Sequence, residues 1–143
     1  MVSLLEELVV TSALDELPRV IDFVSQACEA SAVPEDVVFA CQLAADEACT
    51  NIMEHAYDGR TDGEIRVSCW VSEDQVNLRL RDNGAAFDPR MIETPDLEGN
   101  LTDRRIGGLG LHFMRSLMDE VRFEFDPTTG NTVTMIKRFK GAG

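Results

Sequence analysis

The sequence predicts an α/β (α+β) two-layer sandwich, in which three helices cover one face of a mixed, mostly antiparallel sheet. Three observations predict this fold: the order of helical and strand-like segments, a period of two in the strand-like ones, and a period near 3.6 in the helical ones. The chain has 143 residues, of which 44% are apolar, enough for one continuous core and too few for two. We therefore expect residues 1–143 to form a single domain.

The first third of the chain predicts one strand and two helices. Residues 4–11 are rich in Leu and Val and predict a strand or an extended arm. Apolar residues then recur at helical spacing over 14–30. Pro34 suits the first turn of the next helix. Glu35 and Asp36 follow it, where negative charge interacts favourably with the positive end of the helix dipole. We expect that helix to continue to about Tyr57.

Alternating apolar and polar residues predict a β-hairpin in the middle of the chain. The two strands are residues 65–71 and 76–80, and the second one places Asp82 at its end. Residues 83 to about 107 contain Pro, Gly and many charges without a period, so we expect a mobile lid there. A third helix over 109–118 and two strands, 121–125 and 133–139, complete the predicted order.

Charge excludes one class of partner. The net charge of −13 argues against nucleic-acid binding, because a phosphate backbone must be met by clustered Lys and Arg. Up to Arg60 the chain has 12 acidic residues against 2 arginines, which leaves 14 acidic and 11 basic residues for the remainder. The first part is either a surface for a basic partner or a solvated, solubilising face.

Neither a membrane span nor a signal peptide is predicted. No run of about 18 apolar residues occurs, and the beginning of the chain lacks a basic region followed by an apolar stretch. We expect a soluble, cytoplasmic protein with no membrane partner. The four cysteines lack metal-site spacing and fall in apolar segments, so we expect them to be reduced and buried; they are Cys28, Cys41, Cys49 and Cys69.

The second predicted helix carries a carboxylate, a carboxamide and an imidazole at intervals of four residues, so Glu47, Asn51 and His55 share one face. Asn51 suits a Mg²⁺ ligand, because that ion accepts a neutral side-chain oxygen and takes other ligands from phosphates and water. One turn earlier, Glu47 would lie beside the terminal phosphate as a base. His55 either touches the nucleotide or makes a structural hydrogen bond. The alternative for Glu47 and Asn51 is an ordinary polar helix face.

Two glycine-containing segments complete the pattern. Asp82 could accept the exocyclic amino group of adenine, while Gly84 lets the backbone approach the ring; the alternative is a common Asp-Asn-Gly turn. Later, a glycine-rich helix start offers free amides to phosphates, with two arginines before it, or serves only as a hinge. That group consists of Arg104, Arg105, Gly107, Gly108, Leu109 and Gly110. Both lysines lie near the end of the chain, which excludes a Walker P-loop.

Together these segments resemble the three boxes of the GHKL ATPase and kinase superfamily. Residues 47–51 with 55–57 resemble its N box, residues 82–89 its first glycine box, and residues 108–111 its second. The order and spacing match over nearly the whole chain. Within the superfamily, the short form and the Phe-Asp-Pro sequence ending at Pro89 look most like the anti-sigma-factor serine/threonine kinases of bacterial partner-switching systems.

The resemblance implies ATP and Mg²⁺ as cofactors, with Glu47 as catalytic base and Asn51 as the metal ligand. It places Asp82 and Gly84 at adenine, and the second glycine box at the phosphates. It also implies a STAS-type anti-sigma-factor antagonist as substrate, a sigma factor as a further partner, and a homodimer. Ala86 departs from the superfamily, which often has a second glycine there, and leaves the detail of the adenine pocket open.

Two other functions fit the same residues. A non-catalytic module would use ATP only to order the lid and form a partner surface. A histidine-kinase-like ATPase domain would require a preceding helical hairpin with a phosphorylatable histidine.

Overall fold

The computed structural model describes residues 6–88 and 113–140, and its sheet has five strands. The spatial order is β1-β2-β3-β5-β4, and every neighbouring pair is antiparallel. The strands are β1 (Glu6–Thr11), β2 (Glu64–Ser72), β3 (Gln75–Asp82), β4 (Glu120–Asp126) and β5 (Gly130–Arg138). The expectation of a mixed sheet is therefore wrong for the described strands, because β5 turns back from β4 and enters the sheet beside β3.

Two helices, α1 (Leu17–Glu29) and α2 (Glu35–Asn51), and a helical segment at 113–117 pack on one face of the sheet. The predicted two-layer α/β architecture is confirmed. Strands β2 and β3 pair in the predicted hairpin register, with Val71 opposite Val76 and Ile65 opposite Asp82. This register brings the end of β3 beside the start of β2.

Both predicted helices differ from expectation at their ends. The first begins with a 3₁₀ turn over Leu14–Glu16, and the α-helix follows with Pro18 in its first turn, where no amide donor is needed. The second begins after Pro34 and ends as an α-helix at Asn51. A π-helical turn over Ile52–Ala56 follows, in which the Tyr57 amide donates to the Ile52 carbonyl.

The core lies between the helices and the inner face of the sheet. Small side chains along α2, among them Ala44, Ala45 and Ala48, are buried and allow a close approach to its neighbours. The predicted burial of all four cysteines is confirmed. The inner sheet face contributes residues at alternating positions of three strands: Ile65, Val67, Cys69, Val71, Val76, Leu78, Leu80, Val133 and Met135.

The outer face of the sheet is polar and carries much of the positive charge. Its arginines are Arg66, Arg79, Arg81, Arg122 and Arg138. The Arg79 guanidinium lies 5.1 Å from the ring centroid of Trp70 in a cation–π contact. Arg66 pairs with Glu7 and Glu64, each at 3.1 Å. Over residues 6–88 and 113–140, no helix is long and apolar enough to cross a membrane.

Candidate functional site

A cleft opens where the end of α2, the end of β3 and the start of β5 meet. The empty space between its lining residues is roughly 320 Å³, a figure that includes open solvent. Its apolar lining consists of Ala48, Ile52, Leu80, Phe87, Phe123 and Val133. Its polar lining consists of Asn51, Asp82, Glu124, Asn131 and Thr132. The cleft therefore joins two of the predicted site residues, Asn51 and Asp82.

Asn51 is the last residue of α2 and is only 2% exposed. Within the part of the chain that the structure describes, neither Oδ1 nor Nδ2 of its side chain has a hydrogen-bond partner. A buried amide without partners costs about 1–3 kcal/mol, and most native structures avoid it. A ligand that binds in the cleft and contacts this amide would remove that cost.

Glu47 lies one helical turn before Asn51 and is half-buried, and its Oε2 has no hydrogen-bond partner among the described residues. Burial raises the pKa of its carboxyl, and the negative charges of Asp46 and Glu54 raise it further. A carboxylate with a raised pKa accepts a proton more readily near neutral pH. Glu47 is not among the residues that line the described cleft, so its place beside a terminal phosphate remains a prediction.

Asp82 ends β3 and is 2% exposed. Its Oδ1 accepts the Gly84 amide at 2.9 Å and the Asn131 side-chain amide at 2.8 Å, whereas Oδ2 has no hydrogen-bond partner in 6–88 or 113–140. Burial raises the pKa of Asp82, and the two hydrogen bonds oppose that rise. One carboxylate oxygen is thus held by the protein, and the other stays available as an acceptor.

Gly84 lets the chain after β3 lie directly against the π-helical turn. The Ala85 amide donates to the Ala56 carbonyl at 2.8 Å, and a Cβ added to Gly84 would collide with that same carbonyl. The Tyr57 hydroxyl accepts the Asn83 amide at 2.9 Å and donates to the Glu64 carbonyl at 2.6 Å. The end of the second helix is therefore joined to both strands of the hairpin.

His55 lies in the π-helical turn, and its buried Nε2 makes no hydrogen bond to the described residues but lies 3.9 Å from Glu54 Oε2. Its ring is 5.7 Å from the ring of Phe87, centroid to centroid, and Phe87 lines the cleft. The imidazole is thus near the cleft without belonging to its described lining. Neither of the two roles expected for His55 is decided by these contacts.

The predicted phosphate-binding group lies outside the described residues, and so does the lid beyond Asp88. Those predictions cover Arg104, Arg105, Gly107, Gly108, Leu109 and Gly110.

Asn131, which donates to Asp82 inside the cleft, is not among the residues predicted from the sequence. One signal was present: Asn131 shares its strand face with Val133 and Met135, so a polar residue occupies an inward-facing position.

Comparison with known proteins identifies the family. A model of the histidine kinase-like ATPase domain matches residues 10–137, which is most of the chain. The chain belongs to the histidine kinase-like ATPase domain family. The family assignment confirms the resemblance drawn from the N box and the two glycine boxes.

Several curated proteins that resemble this chain are named serine-protein kinase RsbW. One from Listeria monocytogenes serovar 1/2a is 39% identical over 100 residues, covering 67% of this chain and 62% of that protein. One from Bacillus pumilus is 40% identical over 102 residues, with the same coverage. The chain thus spans somewhat less than two thirds of the length of these relatives.

A solved structure shares the fold of the domain. The RsbU and RsbW domains of a Mycobacterium tuberculosis protein superpose with a TM-score of 0.67 at 16% sequence identity. The match covers 99% of this chain and 35% of that one. At this identity the likeness bears on the fold alone.

The residues at the cleft suit the nucleotide that this ATPase family implies. Among residues 6–88 and 113–140, five buried side-chain atoms lack a hydrogen-bond partner. They belong to Glu47, Asn51, His55 and Asp82, of which Asn51 and Asp82 line the cleft. The amide oxygen of Asn51 is of the kind that Mg²⁺ accepts as a single protein ligand beside phosphates and water. The free oxygen of Asp82 suits the amino group of adenine.

Proposed function

We propose that the chain is an ATP-dependent protein serine/threonine kinase that phosphorylates a STAS-type anti-sigma-factor antagonist and switches partners. The observation that carries the proposal is the amide of Asn51, fully buried and unpartnered in the cleft that also holds Asp82. Membership of the ATPase family and the name serine-protein kinase of its relatives support the same activity.

The described residues divide the work of the proposed reaction. Asp82 binds adenine through its free oxygen and rejects guanine, which presents a carbonyl oxygen at that position. Asn51 holds Mg²⁺, which when bound offsets the charge of the phosphates. Glu47 takes the proton from the attacking serine or threonine hydroxyl and orients that oxygen.

Further partners follow from the same resemblance. We propose a sigma factor as the protein released or held by the switch, and a homodimer as the working form. The excess of acidic residues up to Arg60 is consistent with a basic partner surface. Light scattering on the purified chain, with and without ATP, measures the oligomeric state directly.

The test of the kinase is transfer of labelled phosphate from ATP, with Mg²⁺, to candidate STAS partners. We expect Glu47→Gln to lower the transfer rate by about 10²- to 10⁴-fold while ATP affinity changes little. Glu29→Gln is the matched control, because Glu29 is an exposed carboxylate at the end of α1, away from the cleft lining. Absence of transfer to every partner, or transfer that does not depend on Glu47, would contradict the kinase assignment.

The same assay identifies the non-catalytic alternative. A module gated by ATP would bind nucleotide and change its partner affinity without transferring phosphate, and Glu47→Gln would leave that change intact. Mg²⁺-dependent affinity for ATP and for GTP, in the native chain and in Asp82→Asn, tests the adenine site separately. We expect a strong preference for ATP in the native chain and its loss in the variant.

A further inference from the structure

Asn131 is the most fully engaged polar side chain in the cleft. It begins the inward-facing positions of β5, lies opposite Asp82 in the strand register and is 6% exposed. Its Nδ2 donates to Asp82 Oδ1 at 2.8 Å and to the Ala85 carbonyl at 2.9 Å. Its Oδ1 accepts the Phe87 amide at 3.3 Å. Because the Ala85 carbonyl can only accept and the Phe87 amide can only donate, these two groups determine the orientation of the Asn131 side-chain amide.

The backbone before Asn131 is built for a close approach. Gly130 has a φ of +89°, and a Cβ added there would collide with the Asp82 carbonyl. A side chain at position 130 would therefore push β5 away from the end of β3. Because of this glycine, the short side chain of Asn131 reaches the carboxylate directly.

The bonds of Asn131 determine which oxygen of Asp82 is free. Oδ1 already accepts two hydrogen bonds, from Asn131 and from the Gly84 amide. A half-turn of the carboxylate exchanges two equivalent oxygens and leaves the same geometry. Any smaller rotation would break the hydrogen bonds from Asn131 and from the Gly84 amide. Oδ2 thus remains in one place, buried and without a hydrogen bond to any residue that the structure describes. A fixed acceptor discriminates between ligands better than a mobile one.

We propose that Asn131 is the positioning residue for base selection: it holds Asp82 so that Oδ2 accepts a purine amino group, and it holds residues 85–87 beside the same base. This inference rests on the proposed function, because it assumes an adenine nucleotide in the cleft. Asn131 acts through Asp82 and the backbone rather than by touching the nucleotide.

The proposal separates two nucleotides that differ at one group. Inosine triphosphate has the same triphosphate and ribose as ATP but presents a 6-oxo group where adenine has an amino group. An Asp82 that is no longer held would lose part of its bond to the amino group of ATP. Binding of inosine triphosphate gains nothing from that bond, so it would change much less.

The test is the ratio of the dissociation constants for inosine triphosphate and ATP, measured by calorimetry on the full chain with Mg²⁺. We expect Asn131→Ala to lower this ratio by about tenfold, the size of one lost polar contact. Asn131→Ser retains a hydroxyl donor for Asp82 and fills more of the space than alanine does. Its ratio should therefore lie between those of the native chain and Asn131→Ala. Asn77→Ala is the matched control, because Asn77 is an equally buried amide on the outer sheet face.

Three outcomes separate this inference from the proposed function. A lowered ratio in both Asn131 variants, with an unchanged ratio in Asn77→Ala, supports the positioning role. Equal weakening of both nucleotides overturns it and leaves Asn131 as a purely structural residue, while the nucleotide site itself stands. A native chain that binds neither nucleotide overturns the proposed function and this inference together.

Discussion

Two buried asparagines, Asn51 and Asn77, have opposite surroundings. Asn77 in β3 is 5% exposed, and its amide is satisfied: Nδ2 donates to the Trp70 carbonyl and the Ser72 hydroxyl, and Oδ1 accepts from Gln75. Asn51 is equally buried and makes none of these bonds. The same side chain therefore stabilises one part of the fold and is costly in another.

The difference indicates which region is shaped by folding and which by a ligand. Folding favours structures in which buried amides are paired, so a site such as that of Asn77 needs no further explanation. Unpartnered atoms concentrated on Glu47, Asn51, His55 and Asp82 are what a binding site requires before its ligand arrives. Four predictions test the contrast between the two regions.

The largest effect is expected at Asn51. Asn51→Ala should lower Mg²⁺-dependent phosphoryl transfer by roughly 10²- to 10³-fold, as loss of one preorganised polar group does in other enzymes. The free energy of unfolding of the ligand-free chain should not fall appreciably, because the lost amide made no hydrogen bonds. Transfer assays and chemical denaturation measure the two quantities, and a large loss of stability with intact transfer would refute the assignment.

Asn77 should show the reverse pattern. Asn77→Ala removes three hydrogen bonds and leaves Gln75 and Ser72 without their partner, so we expect about 2 kcal/mol of destabilisation. Thermal unfolding should detect this loss, while affinity for ATP should be unchanged in the folded variant. Reduced ATP affinity without a change in unfolding would place Asn77 in the functional region and remove the contrast.

A smaller effect of opposite sign is expected at Asp82. Asp82→Asn exchanges a buried carboxylate for a neutral amide, whose Oδ1 still accepts from Gly84 and Asn131. We therefore expect the ligand-free chain to gain about 1 kcal/mol in stability, a rise of roughly 2–4 °C in Tm. Asp126→Asn is the matched control, because Asp126 accepts the amides of Thr128 and Thr129 in an exposed turn. That variant should lose stability, and a loss in both would contradict the prediction.

The smallest effect concerns pH. The pKa of Glu47 in the folded chain lies above its ordinary value of 4.5, so protonation stabilises the folded state. That stability is fully present below the ordinary pKa and is lost as pH rises through the raised one. Since Glu47 is only half-buried and solvent screens its charge, we expect this to be the smallest of the four effects. The stability of Glu47→Gln relative to the native chain should increase over this pH interval and then stay constant. A relative stability that decreases as pH rises would contradict the prediction.

The hairpin and its site residue were predictable because they depend on local patterns. Alternation over β2 and β3 determines which side chains face the helices, and that register places Asp82 at a strand end. The choice of Asn51 as a candidate ligand likewise came from its spacing along the helix, whereas its burial was not predicted from the sequence. These features need only the period of the element and the order of residues within it.

Features that depend on contacts between distant segments were not predictable in the same way. The π-helical turn after Asn51 follows the helical period closely enough to look like continued α-helix, yet its Ala56 carbonyl bonds to Ala85 across the fold. Asn131 likewise acquires its role only when β5 lies beside β3. The predicted lid and phosphate-binding glycines lie outside the described residues and stay predictions.

The placement of Trp70 has a practical consequence for spectroscopy. It is the only tryptophan in the chain, and it lies on the outer face of the sheet beneath Arg79, across the sheet from the layer that carries the cleft. Indole fluorescence should therefore respond weakly to nucleotide and strongly to anything that covers the outer face. The native emission spectrum thus provides a label-free reporter of association on that face.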